Sequence, residues 1–129
     1  MSAPIVPAVF DALRASQSVR DWLDDRLFDR VPERARVPYL TFGALRSVPL
    51  DAEGAERHEL TLDLWSRGRG RTQATNALAA VRAALDGADL AIQDHRCVDC
   101  RVTASESGAE GLELHRAALR LRIVTEPNE

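Results

Sequence analysis

From Arg57 to Ser66 the chain alternates with a period of two. Leu60, Leu62 and Leu64 fall on one parity, and Glu59, Thr61 and Asp63 on the other. That pattern predicts a strand with one buried face and one wetter face. Trp65 falls on the polar parity, where it would cover a sheet edge or enter a contact with another subunit. A second strand runs from Tyr39 to Val48, between Pro38 and Pro49. Leu40, Phe42 and Ala44 share one of its faces; Tyr39, Thr41 and Gly43 share the other. Leu50 to Glu56 is polar, carries Gly54 and reads as the loop between these strands.

The period then lengthens. From Thr72 to Leu85, the residues Ala74, Ala77, Leu78, Val81, Ala84 and Leu85 recur at three and four, and Asp86-Gly87 supplies a stop. Burying Leu78, Val81 and Leu85 would stabilise docking of this helix by roughly 5–9 kcal/mol before entropy is counted. A first helix is expected from Pro4 to Ser16, since proline is tolerated in a first turn. Ser18 is expected to cap a second, Val19 to Asp25, with Trp22 and Leu23 turned inward. Leu27 to Val31 reads as a short extended piece ending at Pro32. Leu90 to Ser105 reads as extended, with Ile92, Val98 and Val102 available to the core, and Ser105 to Gly111 as a turn. Leu112 to Thr125 is the last strand. Leu112 and Leu114 share one parity, while Leu119, Leu121 and Ile123 share the other, and the switch predicts a β-bulge near Ala117-Ala118. Strands joined by short loops, with helices before and between them, predict an α+β fold. Its sheet would be mainly antiparallel, of four to five strands, with helices packed on one face. Residues 1–129 are expected to form one domain, with no internal repeat or linker.

Composition narrows the function classes. A 14.2 kDa chain buries about two-thirds of its unfolded surface, enough for a core without metal or disulfide staples. Aromatic residues are only 5%, so that core must be built from Leu, Val, Ile and Ala. The formal net charge of −3 gives no excess of positive charge for nucleic acid. All 17 basic side chains are arginine, as codon bias in a GC-rich genome would produce. No apolar run approaches the ~20 residues of a membrane span. The start of the chain does not read as a signal peptide, so the protein is expected to remain where it is made, with reduced thiols.

The candidate chemistry is sparse. Cys97-Val-Asp-Cys100 is a CxxC, but zinc needs four ligands, and only His58, His95, His115 and carboxylates could complete a set. A spacing of three in a strand also sends two sulfurs to opposite faces. Buried thiols are therefore expected, with Cys97, Cys100 and His95 as weak metal candidates and no cofactor. The histidines read as packing residues. Asp24-Asp25, Asp51 with Glu53, and Glu106 with Glu110 read as solvated charge. Arg67-Gly-Arg-Gly-Arg71 could bind phosphate, but it lacks the ending of a P-loop. Apart from Trp65 no aromatic residue interleaves with it. It reads first as a solvated turn, next as a contact with a neighbouring subunit's carboxylates, and last as a contact with DNA phosphate.

Taken in order, several segments resemble a known family. They are Val37-Pro-Tyr-Leu-Thr-Phe-Gly43, the acidic loop, His58-Glu-Leu-Thr-Leu-Asp-Leu-Trp-Ser66, the Gly/Arg turn, and the helix ending Val81-Arg-Ala-Ala-Leu-Asp-Gly87. The opening helix leading to Leu27-Phe-Asp-Arg-Val-Pro32 and the closing strand extend the likeness over essentially the whole chain. Together they resemble the tail-completion or tail-terminator family of long-tailed phages, prophages and gene transfer agents. The resemblance implies a structural protein with no catalytic residues. It implies a ring, usually of six subunits, on the head-proximal end of the tail tube. That ring ends tube growth and offers a surface to the head-tail connector proteins. Its partners would be copies of itself, the major tail tube protein, the connector, and DNA passing through the lumen without sequence-specific binding; no membrane is implied. The chain would be assembled in the bacterial cytoplasm and reside in the tail of a virion or virus-like particle. Trp65, Arg67, Arg69, Arg71, Asp51 and Glu53 are the candidate subunit, tube or DNA contacts. Cys97 and Cys100 are no part of the family pattern. Three other readings stand beside this one: a small nucleic-acid-binding module using Arg67, Arg69 and Arg71, a zinc or redox protein built on the cysteines, and a head-completion or neck protein.

Overall fold

The computed structural model describes residues 3–50, 53–67, 71–110 and 114–128. The elements in chain order are α1 (Ile5–Ala15), α2 (Gln17–Leu23), β1 (Leu27–Phe28), β2 (Tyr39–Pro49), β3 (Glu56–Arg67), α3 (Arg71–Leu85), β4 (His95–Glu110) and β5 (Leu114–Pro127). The strands form one sheet in the order β1-β2-β3-β5-β4. β1 runs parallel to β2, and every other pairing is antiparallel. The fold is α+β, as the hydrophobic pattern predicts.

β3 is the axis of the sheet. His58, Leu60, Leu62, Leu64 and Ser66 are buried on one parity, while Glu59, Thr61, Asp63 and Trp65 are half-buried on the other. α3 packs over β3 and β5, and α1 and α2 pack against α3. The core between them joins Leu13, Leu23, Val81 and Leu85 to Leu40, Leu62, Leu64, Leu119 and Leu121. The opposite, open face of the sheet carries no helix among the described residues.

Several local expectations change. Ser16, rather than Ser18, caps α2, its Oγ accepting from the Val19 N–H at 3.3 Å. The short extended piece is regular only over Leu27–Phe28. A bulge between Phe42 and Leu45 puts Leu45, not Ala44, opposite Leu60, and Ala44 joins Thr61 and Asp63 in lining the open face. β4 begins at His95; before it, buried Leu90 and Ile92 fold into the core, with a bridge from Ile92 to His95. The expected turn from Ser105 to Gly111 is strand as far as Glu110, because β5 supplies a partner at every position from Ala104 on. The bulge expected at Ala117-Ala118 is absent: β5 pairs with β3 without interruption from Thr125 to Leu114. No change of parity is needed, because Leu114 is not a core residue. Leu114 is 37% exposed, and His115, at 7%, takes the buried parity with Ala117, Leu119 and Leu121. Leu112 lies outside the described residues.

α3 ends at Leu85, and Gly87, with φ +78°, turns the chain just after it. That turn docks on the outer edge of β4. Gly87 N–H donates to the Cys100 carbonyl at 2.7 Å, and Val102 N–H donates to Asp86 Oδ1 at 2.9 Å. Asp86 and Gly87 thus occupy part of an edge that a further strand would otherwise use.

Candidate interaction surface

The two cysteines lie on the same side of the sheet. A bulge between Cys97 and Asp99 sets Cys97 opposite Thr125 and Cys100 opposite Ile123, both on the helix face. The spacing rule placed them on opposite faces; the extra residue, Val98, reverses that parity. Their thiols serve the end of α3. Cys100 Sγ donates to the Leu85 carbonyl at 3.2 Å, and Cys97 Sγ to the Ala88 carbonyl at 3.8 Å. Burial pushes the Cys100 thiol up to about 12, with Cys97, Asp99 and Asp86 adding to the rise. Burial also raises Cys97. Both are thiols at neutral pH, poor as nucleophiles or metal ligands. His95 is half-buried, and its Nδ1 donates to the Gln93 carbonyl at 2.8 Å. Among the described residues no three His, Cys, Asp or Glu side chains are grouped to hold a metal ion.

His58 is fully buried between two hydroxyls. Nδ1 lies 2.7 Å from Ser47 Oγ and Nε2 lies 2.9 Å from Thr125 Oγ1. Burial lowers its pKa; Glu56 opposes that shift and His95 adds to it. A neutral imidazole bonded at both nitrogens locks β2, β3 and β5 together at one end of the sheet. No carboxylate bonds either nitrogen, as a serine-activating imidazole would require.

The open face carries a row of residues running across the strands. Tyr39 stacks on Trp65 with centroids 6.5 Å apart, and Phe28 tilts against Tyr39 at 5.8 Å. Trp65 Nε1 donates to Thr41 Oγ1 at 3.1 Å. Arg116, on β5, lies over the Trp65 ring at 6.0 Å and pairs with Asp63 at 2.7 Å. Next to this row is a concavity of about 430 Å³ bordered by Ala44, Thr61, Asp63, Glu106, Ala118 and Arg120. Asp99 bridges Arg101 and Arg122 on the same face. This face can hold a polar, shape-matched protein surface, and among the described residues it gathers no nucleophile and base.

The candidate contact residues divide between the two ends of the sheet. Trp65 and exposed Arg67 lie at the end of β3. Exposed Glu53 lies before the start of β3, in the turn with Gly54. Arg71 opens α3 with its side chain outside the described atoms, and Arg69 and Asp51 lie outside the described residues. Sequence reasoning missed the Tyr39–Trp65–Arg116 row and its ion pair with Asp63. Its one signal was three arginines, Arg116, Arg120 and Arg122, on a single parity of the last strand.

Comparison with solved structures finds a chain of "Virion of native gene transfer agent (GTA) particle" at a TM-score of 0.86 and 25% sequence identity. The match covers 95% of this chain and 94% of that one. No curated protein matches the chain. The family described as "Tail completion protein gp17" matches residues 7–126, nearly the whole length, and the chain belongs to that family.

Proposed function

We propose that this structural tail protein closes into a ring, of six subunits as the resemblance implies, on the head-proximal end of a tail tube. There it ends tube elongation and presents a surface to the head connector. The observation that carries this reading is the near-complete superposition on a component of a gene transfer agent particle. The site chemistry supports it as well: unreactive thiols, a histidine tied up in packing, and surface charge paired across strands. The protein acts by contact, without catalysis. Its partners are further copies of itself, the tube protein and the connector. DNA crosses the lumen without sequence-specific binding, and Trp65, Arg67, Arg69, Arg71, Asp51 and Glu53 are the proposed contact residues.

The test is deletion of the gene from the particle-producing cell, followed by electron microscopy. Tails of uncontrolled length, or tails and filled heads that fail to join, are expected, with recovery on complementation. Particles of normal tail length joined to filled heads in its absence would refute the reading.

A further inference from the structure

The sheet has two edges, and they are treated differently. On the β4 edge, Asp86 and Gly87 already bond Val102 N–H and the Cys100 carbonyl. Val102 therefore turns its N–H away from β5. Antiparallel strands alternate inward and outward backbone groups, and β5 has no bulge to break the alternation. Val102 pairs with Leu121, so the β4 residues opposite odd-numbered β5 positions face outward. Past the bulge at Thr103 these are Ser105, Ser107 and Ala109, opposite Leu119, Ala117 and His115. Residues 104–110 contain no proline and no further register shift. A groove of about 320 Å³ follows this stretch, lined by Ala74, Thr75, Leu78, Ser105, Ser107 and Ala117. Among the described residues nothing bonds these outward backbone groups, which is what strand addition requires.

The other edge matches in direction, level and charge. Leu27 N–H already donates to the Asp25 carbonyl at 2.9 Å, so it is the Leu27 carbonyl that meets a neighbour's N–H. β1 and β2 run parallel to each other, β3 opposite, β5 opposite again and β4 opposite once more. Rotating one copy beside another, head to tail, therefore sets β1 antiparallel to the neighbour's β4. The pairings Leu27 to Leu40, Leu64, Ala117 and Ser107 form one row across the sheet, so β1 stands level with the middle of the open stretch. Residues 26–36 hold Arg26, Arg30, Arg34 and Arg36 against Asp29 and Glu33, a net +2. Residues 104–110 hold Glu106 and Glu110 and no base, a net −2.

We propose that the open edge of β4, residues 104–110, takes β1 of a second copy as an added antiparallel strand, so that the sheets join edge to edge around the ring. This rests on the ring reading and specifies its subunit contact. In that register Leu27 of one copy lies opposite Ser107 of the next and Phe28 opposite Glu106, with Arg30 two residues further along. Such a contact is heterologous and closes by rotation.

The test is amide hydrogen exchange by NMR on the full chain, dilute and at about 1 mM, with light scattering for mass and the variant Ser107→Pro alongside. Proline there removes an outward donor and leaves the β4–β5 ladder intact. Assembly should slow exchange at Ser105, Ser107 and Ala109 by more than about tenfold. Ser107→Pro should keep its unfolding transition and remain a monomer. Assembly with those amides unprotected, or unimpaired assembly of Ser107→Pro, overturns the edge contact and leaves the ring standing. Their protection in a two-subunit particle makes the occupant a second β4 and overturns the head-to-tail arrangement. A chain that stays monomeric at this concentration and on isolated tail tubes overturns both readings. If Ser107→Pro fails to fold, exchange on the unaltered chain decides.

Discussion

Replacing His58 by Leu should cost stability at about pH 8, and that cost should shrink as the pH falls. The substitution removes two hydrogen bonds, to Ser47 and Thr125. Ser47 is exposed and can turn to water, but Thr125 is fully buried and its hydroxyl would lose a partner. One lost bond plus one unsatisfied buried hydroxyl costs about 2–3 kcal/mol. The pH dependence comes from the lowered pKa of the folded state. Above the ordinary value of 6.5 the imidazole is neutral whether folded or not. Below it the unfolded chain takes up a proton that the buried ring refuses, so the wild type loses stability as the pH falls toward the lower folded value. At about pH 5.5, one unit below the ordinary value, the wild-type loss reaches at most about 1.4 kcal/mol. His58→Leu has no such proton to take up there. Urea denaturation of both proteins at about pH 8, 7, 6 and 5.5 measures the difference. Two stability curves that run parallel over this range would show that burial of His58 does not set its protonation.

Two further predictions concern the cysteines and the β2–β3 turn. With its thiol raised from 9.0 to about 12, Cys100 carries about a thousandfold less thiolate than an ordinary cysteine near neutral pH. In the folded protein an aromatic disulfide reagent should label Cys100 very slowly and Cys97 faster; in denaturant both should react at once. Rapid native labelling of both, or retention of one equivalent of zinc, would contradict the packing role assigned to them. Gly54 has φ +73°, and a Cβ there would stand 2.5 Å from Pro127 Cγ. Gly54→Ala should therefore cost about 1–3 kcal/mol, read as a lower Tm. Gly108→Ala, with nothing within 4 Å of the added carbon, serves as the control and should change stability by less than about 0.5 kcal/mol.

The surfaces that matter here follow from how the sheet is finished. Its helix face is closed by apolar packing. Its open face carries charge paired across strands, with Arg116 held by Asp63 and stacked on Trp65. An exposed polar face of this kind tolerates water and also accepts a polar partner surface. The apolar side chains left most exposed, Val31, Leu45, Leu50, Val98 and Leu114, lie toward the ends and edges of the sheet rather than across its open face.

The local code alone determined a good part of this protein. Alternation of Leu60, Leu62 and Leu64 sufficed for the central strand and its buried face, because side chains on a strand turn over at every residue. The spacing of Ala74, Ala77, Leu78, Val81 and Leu85 sufficed for α3 and its docking stripe. The order and spacing of these segments also carried the resemblance to tail-completion proteins. Tertiary structure decided whatever depends on a neighbouring strand. One extra residue at Val98 brings Cys97 and Cys100 to the same face, and one between Phe42 and Leu45 turns Ala44 outward. A strand's own sequence does not say where its partner forces a bulge. The run from Ser105 to Glu110 is polar and small and looks like a turn in isolation, yet it is strand because β5 lies beside it. The free edge of β4 could be recognised only once Asp86 and Gly87 were seen on one part of it, since an unpaired backbone group is a property of what lies next to it and has no side-chain signature.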